Sequence, residues 1–168
     1  NAFTDLNNSL GVIYIVRDPR NIVTSYANHN SLSVEEAAND LIKNMRAGGN
    51  LNHFNPIERT MIYVGTWGSH YKSWQSFKSQ GKYLLIKYED LINKKEEVLL
   101  KMLKFIYKLN KKILEIDKVK LKNVIDSTSF EKMKDLEKET GFRESKINPN
   151  TGKKIPFFNL GKKNDWKK

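Results

Sequence analysis

The sequence predicts an α/β fold with a parallel sheet, on three observations. Two short runs, Gly11-Val-Ile-Tyr-Ile-Val16 and Lys82-Tyr-Leu-Leu-Ile-Lys87, have the length and aliphatic content of buried strands. The first passes directly into a capped helix. The segments between and after the two runs carry apolar residues at helical spacing.

The elements follow in order. Arg17 closes the first strand, and Asp18-Pro19 starts a helix to about His29, with Asp18 as N-cap and Pro19 at the first helical position. Ser33-Val-Glu-Glu36 is a capping box that opens a second helix to about Ala47. Gly48-Gly49 ends it, and a loop follows to about Pro56. Trp67, Tyr71, Trp74 and Phe77 are spaced by four, three and three residues, which places them on one helical face. After the second strand, Asn93-Lys-Lys-Glu96 is suited to capping a helix to about Lys108 with Leu99, Met102, Leu103 and Ile106 facing a core. Residues 110–126 are helical, and Thr128, with Glu131 three residues later, opens a last helix to Glu139. From Thr140 onward Gly, Pro and Asn predict a loop. Two strands leave long sheet edges uncovered. Further strands must lie in the expected loops, or the chain is part of something larger.

Composition narrows the classes. At 168 residues, 39% of them hydrophobic, the chain is long enough for one domain with a real core. No apolar run reaches the ~18–20 residues of a membrane span. Asn1 to Leu10 lacks a basic stretch running into an apolar one, so it does not read as a signal peptide. With no cysteine there is no disulfide, thiolate metal site or cysteine nucleophile, and a reducing compartment is permitted. The net charge is +11, and residues 72–168 hold 25 of the 30 basic side chains. Such a basic half suits a polyanionic partner, or is simply a solvated lysine-rich surface. Only 5 of the basic residues are Arg, which favours the surface reading and makes each Arg worth separate attention.

Four segments carry chemistry. In Val16-Arg-Asp-Pro-Arg-Asn-Ile-Val-Thr-Ser25, a strand delivers Arg17 to the carboxyl end of the sheet, where open α/β folds bind ligands. Its guanidinium suits phosphate oxygens, and Ser25, two turns into the helix, is placed to donate to the same anion. Pairing of Arg17 with a local carboxylate is the other reading. Lys87-Tyr-Glu-Asp-Leu91 puts Tyr88 at the same sheet edge, with Glu89 and Asp90 suited equally to salt bridges or to starting a helix. Ser127-Thr-Ser-Phe-Glu-Lys-Met133 combines hydroxyl, aromatic and thioether groups that hold a flat base, although Phe130 and Met133 also suit a core. In Gly161-Lys-Lys-Asn-Asp-Trp166, a glycine among lysines lets backbone N–H groups approach a phosphate; a mobile basic terminus is the other reading. A Walker-type phosphate loop and a serine-nucleophile elbow are both missing, and His29, His53 and His70 lack metal-ligand spacing.

Together and in this order, these segments resemble the cytosolic-type sulfotransferases that use 3′-phosphoadenosine 5′-phosphosulfate (PAPS). Trp67 to Trp74 and Leu84-Leu-Ile-Lys-Tyr-Glu-Asp-Leu91 fall in the same order, and Asn159-Leu-Gly161 with Asp165-Trp166-Lys167 resembles the C-terminal phosphate loop. The resemblance covers about residues 10–168. It implies a P-loop-like three-layer α/β/α sandwich, incomplete at the N-terminus, in a single domain. It implies that Arg17, Ser25 and Gly161 bind the 3′-phosphate and that Tyr88, Thr128, Phe130 and Met133 contact the adenosine. The reaction implied is transfer of a sulfonate from PAPS to an acceptor hydroxyl or amine, leaving adenosine 3′,5′-bisphosphate, without a metal. A small-molecule, lipid or carbohydrate acceptor and a cytoplasmic location go with it, and a homodimer is allowed.

Three departures stand out. The loop for the 5′-phosphosulfate and the general-base His are expected upstream of Asn1, so no catalytic residue is assigned and the chain is read as the C-terminal portion of the domain. Asn159-Leu160 stands where the family usually has Arg-Lys, with Lys162 and Lys163 as candidate compensation. A non-catalytic nucleotide-binding module and a nucleic-acid binder are the competing readings; scarce Arg argues against the latter.

Overall fold

In the computed structural model the described residues are 8–43, 46–48 and 62–167. Their elements run β1 (Val12–Val16), α1 (Pro19–Asn30), α2 (Val34–Ile42), β2 (Arg46–Gly48), β3 (Ile62–Gly65), α3 (Trp67–Trp74) and β4 (Tyr83–Lys87). Then come α4 (Tyr88–Asn93), α5 (Lys95–Leu109), α6 (Lys118–Ser127), α7 (Phe130–Thr140), β5 (Lys146–Ile147) and β6 (Lys154–Ile155). Short 3₁₀ turns cover Gln75–Gln80 and Gly161–Lys163.

Both sequence-predicted strands exist and pair with each other in parallel, with Val12 opposite Tyr83 and Val16 opposite Lys87. Alternation of side chains gives this pair two different faces. Ile13, Leu84 and Ile86 point to one face and pack with Leu91, Val98, Met102 and Phe105, so α5 covers it. Each of the buried aliphatic side chains stabilises the fold by ~1.5–3 kcal/mol relative to exposure. The opposite face is aromatic. Tyr14 stacks on Tyr83 and meets Tyr71 and His70 of α3. Within α3, Trp67 stacks on Tyr71, while Trp74 stacks on Phe77 in the following turn. Helices on both faces of a parallel pair give the expected α/β/α layering.

His70 ties the aromatic face together. Trp74 Nε1 donates to His70 Nε2 at 3.1 Å, and Tyr14 Oη lies 3.0 Å from His70 Nδ1. An indole only donates, so Nε2 is the acceptor. The hydrogen of the neutral ring then sits on Nδ1 and faces Tyr14. Burial, reinforced by Tyr71, pushes the Tyr14 hydroxyl above its ordinary pKa.

Several boundaries differ from expectation. The second helix ends at Ile42, not near Ala47, because Arg46–Gly48 forms β2 and pairs antiparallel with β3. Long-range pairing overrides local helical preference there. Part of the expected loop is thus strand, and residues 49–61 lie outside the described set. Asn93 does not cap α5. It ends the separate short helix α4, and Lys94 (φ −133°, ψ 45°) makes the corner without a side-chain cap. Residues 111–117 are not helical. Lys111 is left-handed (φ 54°), and the next helix waits for Asp117, which accepts from Lys120 N. Ser129, not Thr128, caps α7, because Thr128 is the C-cap of α6. Past Thr140, the β5–β6 hairpin replaces part of the expected loop. Among the described residues, no helix is long and apolar enough to cross a membrane.

The expected capping box of α2 is present, with Ser33 and Glu36 exchanging hydrogen bonds. Asp18 caps α1 as expected. It accepts from Arg20 N at 3.0 Å and from the Arg20 guanidinium at 2.9 and 2.5 Å. Those Arg20 bonds hold the Asp18 carboxyl at about 2, against 3.8 ordinarily. A depressed carboxyl contributes to stability above its unfolded value and loses that contribution as pH falls through the folded one. The Asp18 carboxyl carbon should therefore titrate by NMR with a midpoint near 2. A midpoint near 3.8 would contradict the Arg20 pairing.

Candidate functional site

Parallel register decides the site. Val16 and Lys87 are partners at the carboxyl ends of β1 and β4, so the residues that follow, Arg17 and Tyr88, emerge side by side. The Arg17 guanidinium lies 4.4 Å above the centre of the Tyr88 ring. This contact orients the guanidinium and leaves its edge for hydrogen bonding.

The C-terminal segment closes over this point. Arg17 donates to the carbonyl of Asn164 at 2.7 Å and more weakly to that of Gly161 at 3.5 Å. Arg17 Nε is buried without a hydrogen-bond partner among the described residues. Asn164, 6% exposed, is the hub. Its amide nitrogen donates to Ser25 Oγ at 2.7 Å and to the carbonyl of Asn21, and its amide oxygen accepts from Thr24 Oγ1. Asn21, also buried, accepts from Trp166 N at 2.7 Å. Arg20 lies 3.6 Å above the Trp166 ring. Arg20, Asn21, Thr24 and Ser25 of α1 thus hold Asn164 and Trp166.

Two adjoining clefts share Tyr88 and Ile92. One, of about 350 Å³, is lined by Arg17, Asp18, Asn21, Asn164 and Trp166. The other, of about 920 Å³, runs between α4–α5 and the start of α7 and is lined by Ile15, Leu99, Thr128, Phe130, Met133 and Phe158. The first is polar and carries the guanidinium, while the second is broad and largely apolar. A flat ring on an anionic sugar fits this pairing of surfaces.

Five of the seven expected residues, Arg17, Tyr88, Thr128, Phe130 and Met133, line these clefts, whereas Ser25 and Gly161 line neither and are tied to them through Asn164. Arg17, Ser25 and Gly161 are linked around Asn164, and Tyr88 joins that group to the wall formed by Thr128, Phe130 and Met133. Ser25 accepts from Asn164, which leaves its own hydroxyl hydrogen to donate. Thr128 spends its hydroxyl hydrogen on the carbonyl of Val124 at 2.6 Å, so towards a ligand its oxygen can only accept. Gly161 has φ +55°, and a Cβ there would fall 2.7 Å from the Phe130 ring. Only glycine lets Phe130 lie flat against that backbone. Of the two lysines named as compensation for Asn159-Leu160, Lys163 is exposed and the side chain of Lys162 lies outside what is described.

Three residues escaped the sequence reading. Asn164 lay in a quoted segment but carried no signal beyond being an Asn. Lys95 donates to the carbonyls of Thr128 (2.7 Å) and Ile125 (3.0 Å), tying α5 to the end of α6. Burial lowers its pKa, opposed by Asp126 and Glu131. Glu137 looks like an ordinary helix carboxylate, yet it is 5% exposed. It accepts from Phe157 N at 2.7 Å, from Phe158 N at 2.9 Å and from Ser145 Oγ. Burial works against its charge, but these bonds and nearby Lys154 outweigh that, so its carboxyl sits below the ordinary range.

The family model of the Sulfotransferase domain matches residues 4–168, and the chain belongs to that family. It is 28% identical over 159 residues to guinea pig 3-beta-hydroxysteroid sulfotransferase, covering 93% of this chain and 49% of that protein. It is 25% identical over 162 residues to mouse Sulfotransferase 2A6, with the same coverage of each. The chain therefore spans about half the length of these curated relatives. The crystal structure of mouse sulfotransferase SULT7A1 complexed with PAP has the same fold, with a TM-score of 0.51 and 21% identity over 74% of this chain and 40% of that one. The α/β fold is thus the sulfotransferase, P-loop-like one.

Two substitutions test the architecture. Asn164→Ala removes three side-chain hydrogen bonds in a buried network and should cost about 2–3 kcal/mol in denaturant unfolding. A loss under about 0.5 kcal/mol, the level of a surface change, would show that the hub is not formed. Gly161→Ala combines left-handed strain of roughly 1–2 kcal/mol with overlap on Phe130. It should lower the thermal midpoint and shift the Phe130 ring resonances, and unchanged ring resonances would contradict the contact.

Proposed function

We propose that this chain is the donor-nucleotide half of a sulfotransferase: residues 1–168 form the C-terminal portion of a single domain that binds PAPS and its product adenosine 3′,5′-bisphosphate. One observation carries the reading. A guanidinium with a buried N–H that has no partner among the described residues stands at the carboxyl end of a parallel strand pair, stacked on Tyr88, at the junction of a polar cleft and an apolar one. Family membership supports it, as does the capture of the fold-related mouse enzyme with PAP.

The residues fit such a nucleotide. Arg17 Nε and the Ser25 hydroxyl supply donors for the 3′-phosphate, and the turn beginning at Gly161 brings backbone N–H groups to the same place. Tyr88, Phe130 and Met133 supply flat, polarisable surface for the base, with Thr128 as an acceptor at its edge. PAPS would bring the sulfonate itself. The contribution of these residues is to bind and orient the nucleotide, so that binding energy taken far from the sulfur fixes the reacting group. Activation of the acceptor and charge stabilisation at the leaving phosphate fall to residues this chain does not assign. The acceptor class, a hydroxyl or amine on a small molecule, lipid or carbohydrate, and a cytoplasmic location belong to the same proposal.

Calorimetry comparing adenosine 3′,5′-bisphosphate with 5′-AMP near physiological salt tests the reading. The bisphosphate should bind more tightly, and equal affinities would overturn the 3′-phosphate site. Arg17→Ala removes a charge-assisted contact of ~1.5–3 kcal/mol and should cut that preference by roughly 10- to 150-fold. Equal loss for both nucleotides would contradict the role given to Arg17. Affinity that falls steeply with salt, without discrimination among mononucleotides, would favour a nucleic-acid binder instead.

A further inference from the structure

We propose that Glu137 is a positioning residue for the base-binding wall: a buried carboxylate that fixes the backbone at Phe157–Phe158 and, through it, the ring packing around Phe130. The proposal rests on the donor-site reading above.

Glu137 is the only buried carboxylate among the described residues. Its two oxygens take the consecutive amides of Phe157 and Phe158, one each, and Oε1 also accepts from Ser145. Ionised acceptors make the stronger hydrogen bonds, and a carboxylate spanning two neighbouring amides fixes the peptide's orientation as well as its place. The two rings meet each other edge-on at 5.3 Å and reach different further neighbours. Phe157 meets His29 of α1 edge-on, with ring centres 5.9 Å apart, and Phe158 meets Phe130 edge-on at 6.0 Å. Phe142 packs against both, at 4.8 and 5.2 Å.

The consequence reaches the cleft. Phe158 and Phe130 both line it, and the Gly161 backbone also lies against the Phe130 ring. Phe130 therefore touches both an anchored ring and an anchored loop. Those anchors are separate: Glu137 secures Phe158, whereas Arg17 and Asn164 secure Gly161. Loosening Glu137 should disturb recognition of the base while leaving recognition of the 3′-phosphate intact. Buried Glu137 touches no ligand surface itself, so its effect runs through Phe158.

Glu137→Gln keeps the volume but sets an NH₂ group against a backbone amide. Calorimetry on the intact protein would compare adenosine 3′,5′-bisphosphate, uridine 3′,5′-bisphosphate and 5′-AMP. The adenosine-over-uridine preference should fall about tenfold, while the bisphosphate-over-AMP preference stays within about twofold. A purely structural defect lowers the folded fraction and scales all three affinities alike. An unchanged adenosine-over-uridine ratio, or equal collapse of both ratios, would overturn the proposal. If Glu137→Gln fails to fold, Ser145→Ala decides: it removes one of the three bonds and should erode the same ratio by about two- to threefold. An unchanged ratio in that variant would overturn the proposal too. Absence of any adenosine 3′,5′-bisphosphate binding by the unmutated protein would overturn the donor-site reading first, and this assignment with it.

Discussion

The parallel pairing of β1 with β4 is the constraint on which the rest depends. Because Val16 and Lys87 are partners at the ends of the two strands, Arg17 and Tyr88 leave the sheet together, and the cation lies on the ring. A shift by one residue would send every side chain of one strand to the opposite face. The two faces differ in chemistry, aliphatic towards α5 and aromatic towards α3, so each holds the register independently. The core packing that stabilises the fold is thus also what places the site.

A second constraint closes the site. The C-terminal segment has little regular structure and few buried apolar groups, so packing alone would not fix its course. Two buried polar side chains do so instead. Asn164 joins it to α1 and to Arg17, and Glu137 joins it to α7. Burying an amide or a carboxylate is unfavourable unless its hydrogen bonds are complete. Here each oxygen and the amide nitrogen has a protein partner. The surface ion pairs among the described residues, such as Lys138 with Asp135, are by contrast exposed, and such pairs add only ~0–1 kcal/mol. The large positive charge of the chain is mostly this exposed lysine surface, not the site.

Sequence reading reached the parts of the fold that are governed locally. The two strands announce themselves by aliphatic content, and Asp18 and the Ser33–Glu36 box announce two helix starts by chemistry a few residues long. It failed where a distant partner decides. Arg46–Gly48 looks like the end of a helix until β3 pairs with it. Thr128 and Ser129 are equally good caps in sequence, and only the end of α6 allots the C-cap role to one and the N-cap to the other. The site divides in the same way. Arg17, Ser25 and Tyr88 were legible because a strand end and a helix start fix their direction. Asn164, Lys95 and Glu137 were not, since each is an ordinary polar residue whose importance comes from carbonyls and amides 20 or more residues away.

One register and one loop hub set the proposed phosphate and base sites side by side. Mapping ¹H–¹⁵N and aromatic resonances during titration with adenosine 3′,5′-bisphosphate tests this arrangement most directly. Concerted shifts are expected at Arg17 Nε–H, the amides of Ser25 and Gly161, and the rings of Tyr88 and Phe130, all with one saturation curve. Shifts scattered over the exposed lysines, with Arg17 Nε–H and Phe130 unmoved, would contradict it.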